Sequence, residues 1–194
     1  NGLVLALPTF AAADLLAYAS PGAAGLLETI TYASVVLVSL AVPRAAVAHP
    51  LDASGFLVAD PEGLLLTACS WSSTKWAHLG GTGTVVLRAS AGSAGDERIA
   101  HLHDDALIAR LLEDLATTMG LQGPPTEVRV SHWERSLPQY RVGHEALVAD
   151  IEATLAAEHD GPVVLTGAAY GGVGLPACIH HGRTAARRLL DARA

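Results

Sequence analysis

Cysteine is scarce in this chain of 194 residues: only Cys69 and Cys178 occur. Two isolated thiols imply no disulfide framework and fit a reducing compartment, the cytoplasm. Long apolar runs are missing too. The stretch Val35 to Val42 is far too short for a bilayer, which asks for about 20 residues, and no signal peptide is visible. Positive charge is in deficit, with 12 Lys and Arg against 19 Asp and Glu and a formal net charge of -7. That balance argues against nucleic acid, which calls for a basic face. Methionine occurs only as Met119, and the chain opens without an initiator directly on strand-like Gly2-Leu3-Val4-Leu5-Ala6-Leu7-Pro8. The expectation is therefore a fragment. Internal repeats are absent, and alanine enrichment is the only low-complexity feature.

What is present is apolar. The mean hydropathy of +0.35 is high for a soluble domain, and an exposed apolar surface would serve as a membrane face or a partner interface. The length suits one or two small domains with a real core.

The chain is organised around Gly161 to Ile179. The apolar run Val163 to Thr166 reads as a buried strand that breaks at Gly167. A glycine turn follows (Gly171, Gly172, Gly174), then helical composition from Ala177 to Leu190. Strand, glycine loop and helix N-terminus together present free backbone N–H groups to an anion. On pattern alone, a tight connection that binds nothing is equally compatible.

Other elements follow from periodicity and turn chemistry. Leu3 to Leu7 reads as a strand that stops at Pro8. Thr9 is expected to cap a helix over about Ala11 to Tyr18, and Ser20-Pro21 opens a second over Ala23 to Thr29. Thr31 to Val42 is rich in β-branched residues and reads as a long buried strand. Phe56 to Ala59 and Leu64 to Trp71 form a hairpin around Asp60-Pro61-Glu62-Gly63. Ser72 to Gly83 is irregular, and Thr84 to Ala91 and Thr126 to Arg135 are strands. Helices are expected over Asp104 to Met119, with Leu107, Leu111, Leu112 and Leu115 on one face, and over His144 to Glu158.

Three segments carry a family resemblance. Gly167-Ala168-Ala169-Tyr170-Gly171-Gly172-Val173-Gly174-Leu175-Pro176-Ala177-Cys178-Ile179, followed by His181-Gly182-Arg183-Thr184-Ala185-Ala186, resembles the C-terminal flavin-binding segment of the oxygen-dependent porphyrinogen oxidases. Pro138-Gln139-Tyr140-Arg141-Val142-Gly143-His144 is similar to that family's Pro-Gln-Tyr-x-x-Gly-His. Gly55-Phe56-Leu57-Val58 resembles its Gly-x-Leu-Val. The segments stand in the family's order.

The resemblance implies an α/β (α+β) chain: part of an FAD-binding fold with an inserted antiparallel-sheet substrate domain. It places flavin-domain segments at 1–30 and 133–194 and the substrate domain at 31–132. The dinucleotide motif Gly-x-Gly-x-x-Gly, which precedes these parts in the family, occurs nowhere here, so the chain alone should bind FAD weakly or not at all. Val173, Gly174 and Leu175 fall where the family's loop meets the flavin, with Gly174 bringing its backbone close and a branched residue there expected to force a strained dihedral. Trp133 falls in a cofactor-contacting region. Gly55, Leu57 and Arg88 match positions of the substrate cavity, and Arg88 would pair with a substrate propionate, although a solvated strand arginine is the simpler reading of the pattern. Tyr170 is followed by Gly171 where the family often carries an acid.

The implied activity is oxidation of protoporphyrinogen or coproporphyrinogen to the porphyrin with FAD and oxygen, in haem biosynthesis. The partners implied are the porphyrinogen, the missing N-terminal half and self-association, at a cytoplasmic location peripheral to the membrane. The alternatives are an amine oxidase or carotenoid desaturase of the same fold, and a non-catalytic interaction domain. His101, His103, Asp104 and Asp105 tempt as metal ligands, but acids at that point are what a helix start prefers. His180 and His181 lack a further ligand at suitable spacing. His144 reads as a helix N-terminal residue, and Ser72, Ser73 and His78 form no triad. The absence of a general base agrees with chemistry done by a cofactor.

Overall fold

The structure is a computed structural model and describes residues 2–81 and 83–191. The chain forms two compact units, one made of Asn1–Tyr32 with Ser136–Ala194 and the other of Ala33–Arg135.

In the first unit, β1 (Leu3–Leu5) pairs in parallel with β7 (Val163–Leu165), Leu3 opposite Val163 and Leu5 opposite Leu165. Two short apolar runs 160 positions apart in sequence thus become neighbours, as such runs do in parallel sheets, but only Leu5 and Leu165 are buried; Leu3 and Val4 are exposed and Val163 and Val164 half-buried. Helices α1 (Thr9–Leu16), α2 (Pro21–Glu28) and α5 (His144–Glu158) pack on them through Ala12, Leu16, Leu27, Ile151 and Leu155. The start of α2 is capped from a distance. Glu158 accepts from Ser20 Oγ at 2.6 Å and from the N–H groups of Gly22 and Ala23, satisfying donors that the helix itself cannot. These bonds, the Ser20 hydroxyl first, hold the Glu158 carboxyl below its usual range. Thr9 does not cap α1: it is the first helical residue, its N–H donates to the Tyr32 hydroxyl at 2.9 Å, and its own buried hydroxyl has no partner among the described residues. Pro8 sits at the cap position, and its fixed dihedral starts the helix.

In the second unit a five-stranded sheet has the order β3-β4-β5-β2-β6. Its strands are β2 (Tyr32–Pro43), β3 (Gly55–Leu57), β4 (Leu66–Trp71), β5 (Thr84–Ala91) and β6 (Glu127–Pro138). One face buries Val36, Val38, Leu40, Val42, Leu87, Ala89 and Trp71 against α4 (Asp104–Met119). The helix contributes Leu107, Leu111, Leu115 and Met119, an i+4 stripe of four buried side chains. Asp114 joins helix to sheet, its buried carboxylate accepting from the N–H groups of Leu65 and Leu66 at 2.8 and 2.9 Å. Asp104 and Asp105 lie in the first turn of α4, but neither caps it through its side chain; Asp104 instead meets His132 Nε2 at 2.8 Å. The expected irregular stretch after β4 contains a short helix, α3 (Ser72–Lys75), and β3 is shorter than the hairpin pattern predicts. No helix among the described residues is long and apolar enough to cross a membrane.

Candidate functional site

The loop between β7 and helix α6 (Leu175–Asp191) is held by side chains from outside it. The Tyr140 hydroxyl donates to the Ala168 carbonyl at 2.6 Å and accepts from the Gly172 N–H at 2.8 Å. His144, the first residue of α5, stacks on the Tyr140 ring at 3.8 Å and places Nε2 2.8 Å from the Ala169 carbonyl. Gly143, in the left-handed region at φ 87°, turns the chain so that both rings reach the loop. Burial pushes the Tyr140 phenol above its ordinary value, keeping it a neutral donor. From the far side, Cys178 Sγ lies 3.4 Å from the Gly172 carbonyl, and His181 Nδ1 lies 3.2 Å from Thr166 Oγ1. The His181 ring fills the space that a side chain at position 171 would take, which leaves Gly171 no freedom to be anything larger.

So two of the resemblance-bearing segments converge: Tyr140 and His144 of Pro-Gln-Tyr-x-x-Gly-His clamp Ala168, Ala169 and Gly172 of the glycine loop. In sequence, His144 and His181 are legible only as helix residues, because their targets are not marked by any local pattern.

Beyond the clamp the loop is open. Val173, Leu175 and Ile179 are exposed apolar side chains around the start of α6. The first helical bond runs from the Cys178 N–H to the Gly174 carbonyl, so the N–H groups of Leu175 and Ala177 precede it, and Pro176 carries none. Gly174 is not strained: it lies outside the left-handed region, and a Cβ there would meet nothing nearer than Pro176 Cδ at 3.8 Å. The expected dihedral strain at this position is therefore absent. Positive φ belongs to Gly167 and Gly172 instead.

The second group of candidates lies in the sheet unit. Gly55 pairs with Ser70, Ser70 with Arg88, and Arg88 with Ser39, so these four form one row across β3, β4, β5 and β2. Leu57, Ala68, Ser90 and Leu37 form the next row on the same face. The face opposite the buried core is thus floored mainly by small residues, with Arg88 exposed upon it and Leu57 85% exposed at its edge. Gly55 has a structural reason as well. At φ 142° it lets β3 close on β4, and a Cβ would overlap the Cys69 carbonyl. Trp133 lies on β6, two strands from Arg88, half exposed beside a cleft of about 350 Å³ with Ser34, Val36 and Leu102. The unit boundary after Arg135 puts Trp133 with the sheet rather than with the loop. Cys69, beneath the sheet, is inert: burial pushes its thiol up to about 12. No cluster of three or more metal-ligating side chains exists among the described residues.

One unit thus carries a parallel strand pair that feeds a glycine loop and a helix start, and the other an antiparallel sheet with an open face. The sequence profile of the flavin containing amine oxidoreductases matches residues 3–190, and the chain belongs to that family. Among similar proteins, coproporphyrinogen III oxidase of Bacillus subtilis (strain 168) is 36% identical over 185 residues, covering 95% of this chain and 39% of that protein. Protoporphyrinogen oxidase of Bos taurus is 31% identical over 193 residues, covering 97% and 40%. A crystal structure from Exiguobacterium sp. 255-15, provisionally named a protoporphyrinogen oxidase, superposes with a TM-score of 0.82 at 30% identity, covering 97% of this chain and 41% of that one. The chain thus spans about two fifths of the length of the relatives it matches.

The residues present fit a flavin ring. Gly174 offers bare backbone, Leu175 and Ala177 offer N–H groups, and Val173, Leu175 and Ile179 offer apolar surface, while the bare side of Gly172 is filled by Ala177. A phosphate cradle for the dinucleotide half has no counterpart in the sequence.

Proposed function

We propose that the chain supplies the flavin-facing loop and the substrate sheet of a porphyrinogen oxidase, which converts coproporphyrinogen III or protoporphyrinogen IX to the porphyrin with FAD and oxygen in haem biosynthesis. The observation that carries this reading is the clamp of Tyr140 and His144 on the glycine loop, since it unites two separate segments of the resemblance in one constellation. The names of the relatives support it.

When bound, a flavin supplies the two-electron acceptor for the ring carbon's hydride. The chain's own residues do the rest. Tyr140 and His144 fix the loop. The N–H groups at the start of α6, with the helix dipole behind them, favour negative charge at the edge of the site. From Gly171 to Ile179 the only titratable side chain is Cys178, and its Sγ is engaged with the Gly172 carbonyl, so the loop binds and orients rather than moving protons. The small-residue face with Arg88 receives a broad, carboxylate-bearing macrocycle. Trp133 belongs to the sheet unit and stays a cofactor-contacting candidate on the resemblance alone.

The dinucleotide phosphates fall to the part of the protein that the chain does not span, so the chain alone binds FAD weakly. Its exposed Leu3, Val4, Val173, Leu175 and Ile179 form surface for that part or for self-association, at a cytoplasmic location peripheral to the membrane. The test is the whole gene product, purified: flavin absorbance together with porphyrin fluorescence developing from a porphyrinogen supports the reading. A colourless protein that yields no porphyrin refutes it and favours an interaction domain.

A further inference from the structure

Two cations on the open sheet face have no carboxylate partner among the described residues. Lys75, the last residue of α3, is exposed and donates from Nζ to Ser70 Oγ at 3.3 Å. Ser70 is the cross-strand neighbour of Arg88. Directly opposed side chains stand about 4.5–5.5 Å apart at Cβ, so the ammonium and the guanidinium share one patch. Neither forms an ion pair with an Asp or Glu among the described residues. The chain as a whole carries 19 acids against 12 Lys and Arg, yet none of the described acids answers these two. Like charges held together without a counter-ion repel each other, and an arriving anion relieves that repulsion.

The surroundings narrow the anion's class. Gly55, in the same row, can bear no side chain, and Ser39, Ser90 and Ala68 are small, so the floor beside the cations is flat. Exposed Leu57 supplies apolar contact at the rim. A compact anion such as phosphate would use the charges and leave the floor and Leu57 idle. A broad apolar ring edged with carboxylates uses all of them.

We propose that Lys75 and Arg88 form a two-point receptor for the carboxylates of a polycarboxylate tetrapyrrole lying on this face, with Ser70 holding Lys75 in position. This rests on the porphyrinogen reading and adds Lys75 to it as a specificity-determining residue that favours free-acid macrocycles. A carboxylate oxygen accepts from Lys75 Nζ, another from the guanidinium fork of Arg88, and the ring spans Gly55.

The probe is coproporphyrin III, the stable four-carboxylate oxidised form, titrated into the chain by fluorescence at low and high salt. Its tetramethyl ester is the uncharged control. Removing one charge-assisted hydrogen bond should raise Kd roughly tenfold. The wild-type chain should bind the free acid in a salt-sensitive manner. Lys75→Gln should weaken that binding, Lys75→Gln with Arg88→Gln should weaken it further, and Lys75→Arg should retain most of it. Ester binding should be the same in all variants. Both side chains are exposed, so thermal midpoints should not move. In the whole gene product Lys75→Gln should raise KM and spare kcat and flavin content. Lys75→Gln binding the free acid as tightly as wild type, or a wild-type chain that does not bind it, overturns the receptor whatever the activity. A gene product that oxidises no porphyrinogen, while the chain binds coproporphyrin III in a Lys75-dependent way, overturns the functional reading and leaves the receptor standing.

Discussion

Replacing Tyr140 by Phe removes one oxygen atom and two hydrogen bonds, to the Ala168 carbonyl at 2.6 Å and from the Gly172 N–H at 2.8 Å. The ring and its stack on His144 at 3.8 Å stay. A hydrogen bond contributes about 0.5–1.5 kcal/mol net. Tyr140 is 44% exposed, so water replaces part of both bonds, and the loop should loosen by about 1–2 kcal/mol. If the ordered loop is what meets the flavin, that loosening appears directly in affinity, as a Kd roughly five- to thirtyfold higher. The assay is flavin titration of the apoprotein of the whole gene product, with the KM for porphyrinogen followed alongside. Flavin affinity should fall while KM holds, because the proposed substrate face lies in the other unit. An unchanged flavin Kd would refute the reasoning, since the clamp would then order a loop that touches no cofactor.

Two further substitutions test the scaffold. Asp114→Ala leaves the buried N–H groups of Leu65 and Leu66 without acceptors. At about 1–3 kcal/mol for each orphaned donor, chemical denaturation should show the sheet unit weakened by about 2–6 kcal/mol, with Asp114→Asn recovering part; a loss below about 0.5 kcal/mol would contradict the assignment. Glu158 has a lowered folded pKa, so its contribution to stability is present above its ordinary value of 4.5 and disappears as pH falls through the lowered one. The thermal midpoint of wild type should therefore drop more steeply than that of Glu158→Gln as acid is added below about pH 5. Parallel pH curves for the two proteins would show that the cap at α2 adds nothing.

The legible parts of the fold are those written in composition and period. Leu3–Leu5 and Val163–Leu165 are short apolar runs bounded by breakers, and they pair as such runs do in parallel sheets. The α4 stripe follows from 3.6-residue periodicity, and the hairpin from Asp60-Pro61-Glu62-Gly63, with Gly63 left-handed at φ 68°. The parts not legible depend on side chains that bond to distant backbone. Nothing in the sequence near Thr9 says that Tyr32 would take its N–H in place of a local cap. Nothing near position 140 says that its hydroxyl bridges Ala168 and Gly172; the only cue is the motif itself. At Gly174 the pattern misleads in a useful way. Glycine suggests backbone strain, yet the dihedral and the open space show that the fold alone does not require it.

That makes Gly174→Val the sharpest test of the loop. The new side chain points into space that the chain leaves empty, so the chain's thermal midpoint should hold within the error of the measurement. If the flavin ring approaches bare backbone here, as proposed, the same methyl groups would stand in its way in the whole gene product. The measurement is flavin absorbance per mole of purified protein, beside the rate of porphyrin formation. An intact fold with flavin and activity both abolished is the predicted result, and an intact fold with full flavin and full activity would reduce the glycine loop to a turn and contradict the cofactor assignment.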